Sequence, residues 1–322
     1  MNYNFIQKKL HNICLNNNFI KKSLFELENL FFYEQKEPNE GNHVFITGLP
    51  RSGTTILLEN LYNTNEFASL TYAEMPFILS PNLISKINPN PKIKKIERMH
   101  SDGIFYDLKS PEAFEEVFFL TYKNDDEWPI KFKKYISLIL KKNNKHRYLS
   151  KNNYNFKRIQ KLNQLYPNAK IIIPFRDPLN QSFSMLNQHL NFIKKQQKDK
   201  FILNYMNYLG HFEFGLNHKS WMEKSTFTDL KNVNYWLEQW YLSYDFIMNY
   251  FKPTKNLFFL CYEKFCENKQ YQISLKKRLD LNSDINFKLS NTNKNYDDFY
   301  DIKLYSQCKK LYEDLISLTE KI

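Results

Sequence analysis

The chain has 322 residues, 42% of them hydrophobic and 17% aromatic, and its 46 Lys plus Arg outnumber its 34 Asp plus Glu to give a net charge of +12. So much apolar surface excludes a disordered chain, and six glycines with twelve prolines exclude collagen-like and flexible low-complexity classes. The positive balance suits an anionic partner (nucleic acid, a phosphorylated small molecule, an acidic glycan or a membrane surface), although abundant Lys, Asn, Ile, Tyr and Phe equally fit an AT-rich coding sequence.

Residues 1–33 space Phe5, Ile6, Leu10, Ile13, Phe19, Ile20, Leu24, Leu27 and Leu30 among Lys, Asn, Gln and Glu. This predicts amphipathic helices, not a signal peptide or the ~18 uninterrupted apolar residues of a membrane span. The protein is therefore expected to stay where it is made, in the cytoplasm. A polar stretch at 33–42 separates these helices from the remainder of the chain, so the expected organisation is a helical extension at 1–40 and an α/β domain at 41–322.

Residues 43–48 form a short β-branched and aromatic run ending at glycine, the mark of a buried strand, and 52–62 read as a helix. A short second strand is expected at 69–72. Further strands are predicted at 147–149, 169–175 and 256–261, interspersed with helices at 111–122, 131–140, 156–166, 178–190, 233–251 and 304–318. Apolar strands alternating with helices predict a parallel sheet covered on both faces. The stretch 191–229 reads as an insertion over the sheet edge that carries substrate contacts. Trp236, Trp240, Tyr241 and Tyr244 have helical spacing and read as core. Cys14, Cys261, Cys266 and Cys308 form no CxxC pair and no metal-ligand spacing with histidine, so they read as reduced thiols and no metal site is predicted.

The most specific local signal is Gly48-Leu-Pro-Arg-Ser-Gly-Thr-Thr55. Two glycines four residues apart, between a strand and a helix, let successive backbone N–H groups and a helix N-terminus cradle an anion. A nucleotide-hydrolysing P-loop has Lys after its second glycine and then a Mg²⁺-holding Ser or Thr. Here Thr54 stands at the Lys position and Arg51 is the loop's only cation, so the site reads as built for an anion without a metal. A second constellation succeeds the apolar run 171–175: Arg176-Asp177-Pro178, with Pro178 opening a helix that Asp177 caps, and Ser184 about two turns on.

Together, Gly48 to Thr55 and Arg176-Asp-Pro…Ser184 resemble the two cofactor-binding motifs of the sulfotransferase family, in the bacterial branch similar to tyrosylprotein and carbohydrate sulfotransferases. Leu260-Cys-Tyr-Glu-Lys-Phe265 is similar to the family's late strand ending in Tyr-Glu. The resemblance implies a three-layer α/β sandwich of the P-loop-NTPase-like kind, with N-terminal helices and a helical insertion added. It implies a cytoplasmic, nucleotide-binding transferase that moves a sulfuryl group from 3′-phosphoadenosine 5′-phosphosulfate to a hydroxyl or amine without a metal. Arg51, Ser52, Gly53, Thr54 and Thr55 then map onto the 5′-phosphosulfate, and Arg176 and Ser184 onto the 3′-phosphate. The late Arg-Lys-Gly loop of the cytosolic eukaryotic branch has no counterpart.

Sulfuryl transfer needs a proton acceptor, a positive site for the bridging oxygen and in-line positioning. Glu74 stands about where related tyrosylprotein sulfotransferases carry their proposed base. His100 and Asp102 form a compact polar cluster in which Asp102 can orient His100 or either can contact the acceptor. Lys151 ends a strand where similar enzymes have a Lys before Thr-Pro, here replaced by Asn-Asn. The acceptor is a small molecule, a glycan or a peptide. A P-loop kinase or NTPase is the alternative, disfavoured by the missing loop Lys. A nucleic-acid-binding protein is less favoured, because no zinc, helix-turn-helix or RNP-like pattern occurs and the lysines are scattered.

Overall fold

The computed structural model describes residues 3–34, 41–87, 96–97, 105–283 and 300–320. Helices α1 (Phe5–Asn16) and α2 (Asn18–Phe32) come first, each opened by an asparagine cap. Strand β1 (Val44–Ile46), helix α3 (Thr54–Tyr62), strand β2 (Phe67–Ala68) and helix α4 (Pro81–Ile87) come next. Strands β3 (Ile96–Glu97) and β4 (Phe105–Tyr106) make a small antiparallel pair. Helices α5 (Glu116–Thr121) and α6 (Trp128–Asn143) lead to β5 (Arg147–Lys151), α7 (Ile159–Leu165) and β6 (Lys170–Phe175). Helices α8 (Pro178–Lys198), α9 (Lys200–Leu209) and α10 (Val233–Tyr250) precede β7 (Leu257–Cys261), α11 (Tyr262–Glu267), α12 (Lys269–Arg278) and α13 (Ile302–Glu320).

The main sheet has the order β2-β5-β1-β6-β7 and every pairing in it is parallel. Its strands are apolar on both faces, and the two-residue period divides them between two cores. Val44, Ile46, Leu149, Ile172, Phe258 and Leu260 face one layer with Leu57, Leu61 and Leu275. Phe45, Tyr148, Ile171, Ile173, Phe175 and Phe259 face the other with residues of α6, α8, α10 and α13. The result is the expected three-layer α/β sandwich. The N-terminal helices belong to the second of these cores, where Leu15 and Phe25 are buried. No helix among the described residues is long and apolar enough to cross a membrane.

Several elements start or end elsewhere than the sequence suggests. The second strand is β2 at Phe67–Ala68, not 69–72, because Tyr72–Glu74 tightens into a 3₁₀ turn. The helix expected at 111–122 begins only at Glu116, since Thr71 and Pro111 form an antiparallel bridge that keeps the preceding chain extended. The helix expected from 156 starts at Ile159, after a 3₁₀ turn over Asn153–Lys157. In the insertion, α8 runs on to Lys198 and α9 starts at once, capped by Asp199.

Candidate active site

The central strand β1 delivers the loop. Its last ladder bond is Thr47 N–H to the Ile172 carbonyl (2.9 Å), after which the chain leaves the sheet. Pro174 in the neighbouring strand β6 therefore faces no β1 residue, and its carbonyl accepts the Tyr244 hydroxyl (2.8 Å). The turn is made by left-handed residues: Gly48 (φ 143°), Arg51 (φ 68°) and Gly53 (φ 89°). At Gly53 a Cβ would lie 2.3 Å from the Tyr262 ring, so only glycine lets that ring close over the loop. The Ser52 hydroxyl donates to the Leu49 carbonyl (2.8 Å) and is buried, closing the loop from inside. Gln181 of α8 donates to the Pro50 carbonyl (3.0 Å) and accepts from the Trp240 indole (3.0 Å). Gly53 is the N-cap of α3, so the positive end of that helix carries no capping side chain.

Arg176 stands at the C-terminal end of β6, its guanidinium 5.1 Å from the Tyr262 ring centre and its Nε 3.9 Å from Glu263 Oε1. Tyr262 thus lies between Gly53 and Arg176 and fixes one against the other. Glu263 Oε1 also accepts the Asp177 N–H (3.0 Å), and Oε2 accepts the Tyr312 hydroxyl from α13 (3.0 Å). Asp177 caps α8 as its position before Pro178 predicts, accepting the Asn180 N–H at 2.8 Å. Ser184 meets the loop: Arg51 Nε donates to its Oγ at 2.9 Å.

Beside the loop opens a cleft. Arg51, Thr54, Thr55 and Lys151 line its loop side, and α9 with the segment after it lines the other. Lys151 ends β5 next to β1, and the adjoining Asn-Asn holds two buried carboxylates: Asn152 Nδ2 donates to Glu116 (2.8 Å) and Asn153 Nδ2 to Glu213 (3.1 Å). Arg158 completes the Glu116 site with two 2.7 Å bonds. Burial pushes the Glu213 carboxyl up, but the neighbouring His211 and the Lys151 charge outweigh this and hold it below the ordinary carboxylate range. His211 Nδ1 lies 3.6 Å from Glu213 Oε2. Glu112, also in the wall, accepts the Tyr72 hydroxyl (2.7 Å) and the Ala113 N–H (2.9 Å).

Residues 43–218 match the family described as "Sulfotransferase family", which is more than half of the chain. The chain belongs to the sulfotransferase family. Among solved structures it is similar to the sulfotransferase STF1 from Mycobacterium tuberculosis H37Rv, with a TM-score of 0.48 and 11% identity over 86% of this chain and 78% of that one. It is also similar to the sulfotransferase STF9 from Mycobacterium avium, with a TM-score of 0.45 and 12% identity over 97% of this chain and 78% of that one. A sulfotransferase domain from the curacin biosynthetic pathway gives 0.38 and 12% over 76% and 75%. No curated protein sequence matches the chain.

Of the predicted site residues, Arg51, Thr54, Thr55 and Lys151 share one cleft, while Ser52, Gly53, Arg176, Ser184 and Glu74 do not line it. Glu74 Oε2 accepts the Thr71 N–H (2.5 Å) and hydroxyl (2.9 Å), and Oε1 pairs with Lys142 of α6. Thr71-x-x-Glu74 is a capping box, a signal present in the sequence. His100 and Asp102 lie outside the described residues. His189, on α8 beyond Ser184, packs on Trp236 (5.1 Å) and accepts the Gly215 N–H (3.2 Å). Sequence reasoning missed Gln181, Tyr262 as the loop's cover, Glu112, and the His211–Glu213 pair. The Tyr-Glu at 262–263 was visible as a motif, whereas Asn153 reaches Glu213 across 60 residues and left no local signal. The four cysteines are free thiols.

Proposed function

We propose that the chain transfers a sulfuryl group from 3′-phosphoadenosine 5′-phosphosulfate to a hydroxyl acceptor. The observation that carries this is the loop itself: an uncapped α3 N-terminus, left-handed glycines on both sides, and Arg51 as its cation with Thr54 where a nucleotide hydrolase has Lys. The donor, when bound, supplies an activated sulfuryl group on a phosphate leaving group. The chain's part is to bind and orient. The loop N–H groups, Thr54 and Thr55 hold the phosphosulfate end. Arg51 offers a planar guanidinium to developing charge on the bridging oxygen. Arg176 and Ser184 serve the 3′-phosphate, and Lys151 adds charge from the far side of the loop.

Family membership supports transfer in place of hydrolysis. The test is calorimetric titration with adenosine 3′,5′-bisphosphate in EDTA, and then transfer of labelled sulfur from the donor. Tight binding without metal is expected. Binding of ATP–Mg²⁺ with none of the bisphosphate overturns the reading in favour of a kinase or NTPase.

A further inference from the structure

One side of the cleft lies opposite the loop residues assigned to the donor. Its wall is made by Tyr72, Phe114, Phe192, Met206, Leu209 and Phe214, all buried yet bordering open space. A glycan needs a hydrogen-bonding partner for nearly every hydroxyl, and the two carboxylates here are already held. Glu112 is taken by Tyr72 and Ala113, and Glu213 by Asn153. An apolar wall whose two carboxylates are held favours a planar or alkyl body. At the rim of that wall stands His211, whose side chain keeps 23% exposure while its Nδ1 faces the Glu213 carboxylate. The carboxylate is in turn fixed by Asn153 and stays charged because His211 and Lys151 offset its burial. That is the arrangement of an imidazole with one nitrogen beside a carboxylate and the other able to take a proton.

Resting on the phosphosulfate-donor reading, we propose that this half of the cleft binds a phenol or comparably apolar alcohol, and that His211, paired with Glu213, takes the proton of its hydroxyl. In the step, the acceptor oxygen forms a bond to the donor's sulfur as the bond from sulfur to the bridging oxygen breaks. The electron pair leaves on that oxygen to give adenosine 3′,5′-bisphosphate, and the hydroxyl proton passes to His211 Nε2.

Two phenols separate the base from the scaffold. Phenol keeps its proton in mildly alkaline buffer, as tyrosine does with its pKa of about 10, whereas para-nitrophenol is already ionised. Transfer from labelled donor to both is expected, with none to maltose. His211→Gln is expected to lower transfer to phenol about 100-fold and to para-nitrophenol less than tenfold, the ordinary contribution of a general base. Glu213→Gln is expected to lower transfer to phenol more than transfer to para-nitrophenol, because it removes the carboxylate beside His211 Nδ1. Bisphosphate binding by each variant reports an intact donor site. Saturation-transfer NMR on the unaltered protein, with bisphosphate bound, is expected to show phenol contact. Transfer to maltose but not phenol, no phenol contact while the bisphosphate binds, or equal losses on both phenols would each overturn the proposal and leave the donor reading standing. Failure to bind the bisphosphate would sink the donor reading itself.

Discussion

The loop side of the cleft is a tight turn with left-handed residues carrying Arg51, Thr54 and Thr55, with Lys151 beside it, braced from behind by Gln181, Trp240, Tyr244 and Tyr262. The opposite side is made of side chains of α9 and the segment after it, held by ring packing such as Phe214 on Trp236 (5.7 Å) and Phe192. The first wall is shaped before any ligand arrives, and its geometry depends on backbone angles few residues can supply. The second can be altered one side chain at a time without moving the first. A family that keeps its donor and varies its acceptor has reason to divide the labour this way, with the invariant task on the backbone and the selective one on exchangeable side chains.

The sharpest test of that division is Arg51→Ala, expected to lower kcat by ~10²–10³-fold, as loss of one oxyanion-stabilising group does, with the melting temperature little changed. Initial rates with saturating donor measure it, and a loss below tenfold would remove Arg51 from the charge-stabilising role. Acid probes the central sheet and the second wall at once, because each carries a buried neutral histidine. His43 Nδ1 accepts the Tyr148 N–H (3.0 Å) beside β1, and His189 accepts Gly215 in the second wall. Burial, with Arg147 near one and His218 near the other, lowers both to about 4 from 6.5. The unfolded chain then binds more protons than the folded one between those values. Stability therefore rises with pH through the window and is lost as pH falls, by about 3 kcal/mol for His43. Urea midpoints at neutral pH and near pH 4.5 would show it, and equal midpoints would refute it.

Gly53→Ala must displace the Tyr262 ring and adopt φ 89°, which is expected to cost about 1–3 kcal/mol and weaken bisphosphate binding by more than tenfold. Calorimetry decides, and unchanged affinity would mean the ring is not what shapes the loop. The smallest effect is expected from Gln181→Leu, which leaves the Pro50 carbonyl and the Trp240 indole unpaired. The expected loss is ~1–2 kcal/mol in donor affinity, with acceptor KM unchanged. A change in acceptor KM alone would mean the walls are not separable.

The sheet was legible because its strands are continuous apolar runs whose alternate residues serve two cores, a pattern no surface segment needs to imitate. The loop was legible because its conformation demands glycine at fixed spacing. Glu74 was harder to read for an instructive reason: a buried carboxylate after the loop helix suits a base and a capping box equally, and the Thr71 and Lys142 groups at its oxygens have no local signal beyond the Thr-x-x-Glu pattern. Ser184 lay on the predicted helix, yet its contact with Arg51 depends on the angle between α8 and β1, which no local spacing encodes. The same holds for Asn153 and Glu213. The segment 191–229 does border the cleft, through Phe192, Met206 and Phe214 among others, but its wall is set by how α9 packs and not by its composition.

The Tyr312 hydroxyl on Glu263 has a consequence for the order in which the molecule matures. Glu263 positions Asp177 and stands against Arg176, so a group in α13 that touches no ligand steadies a residue more than a hundred positions earlier. A nascent chain that has emerged only as far as α12 has already made Arg51, Lys151, Arg176 and Ser184, yet lacks the Tyr312 strut behind Glu263. Competence to hold the donor is therefore expected to arrive with the docking of α13, after the sheet has assembled, and not with synthesis of the loop.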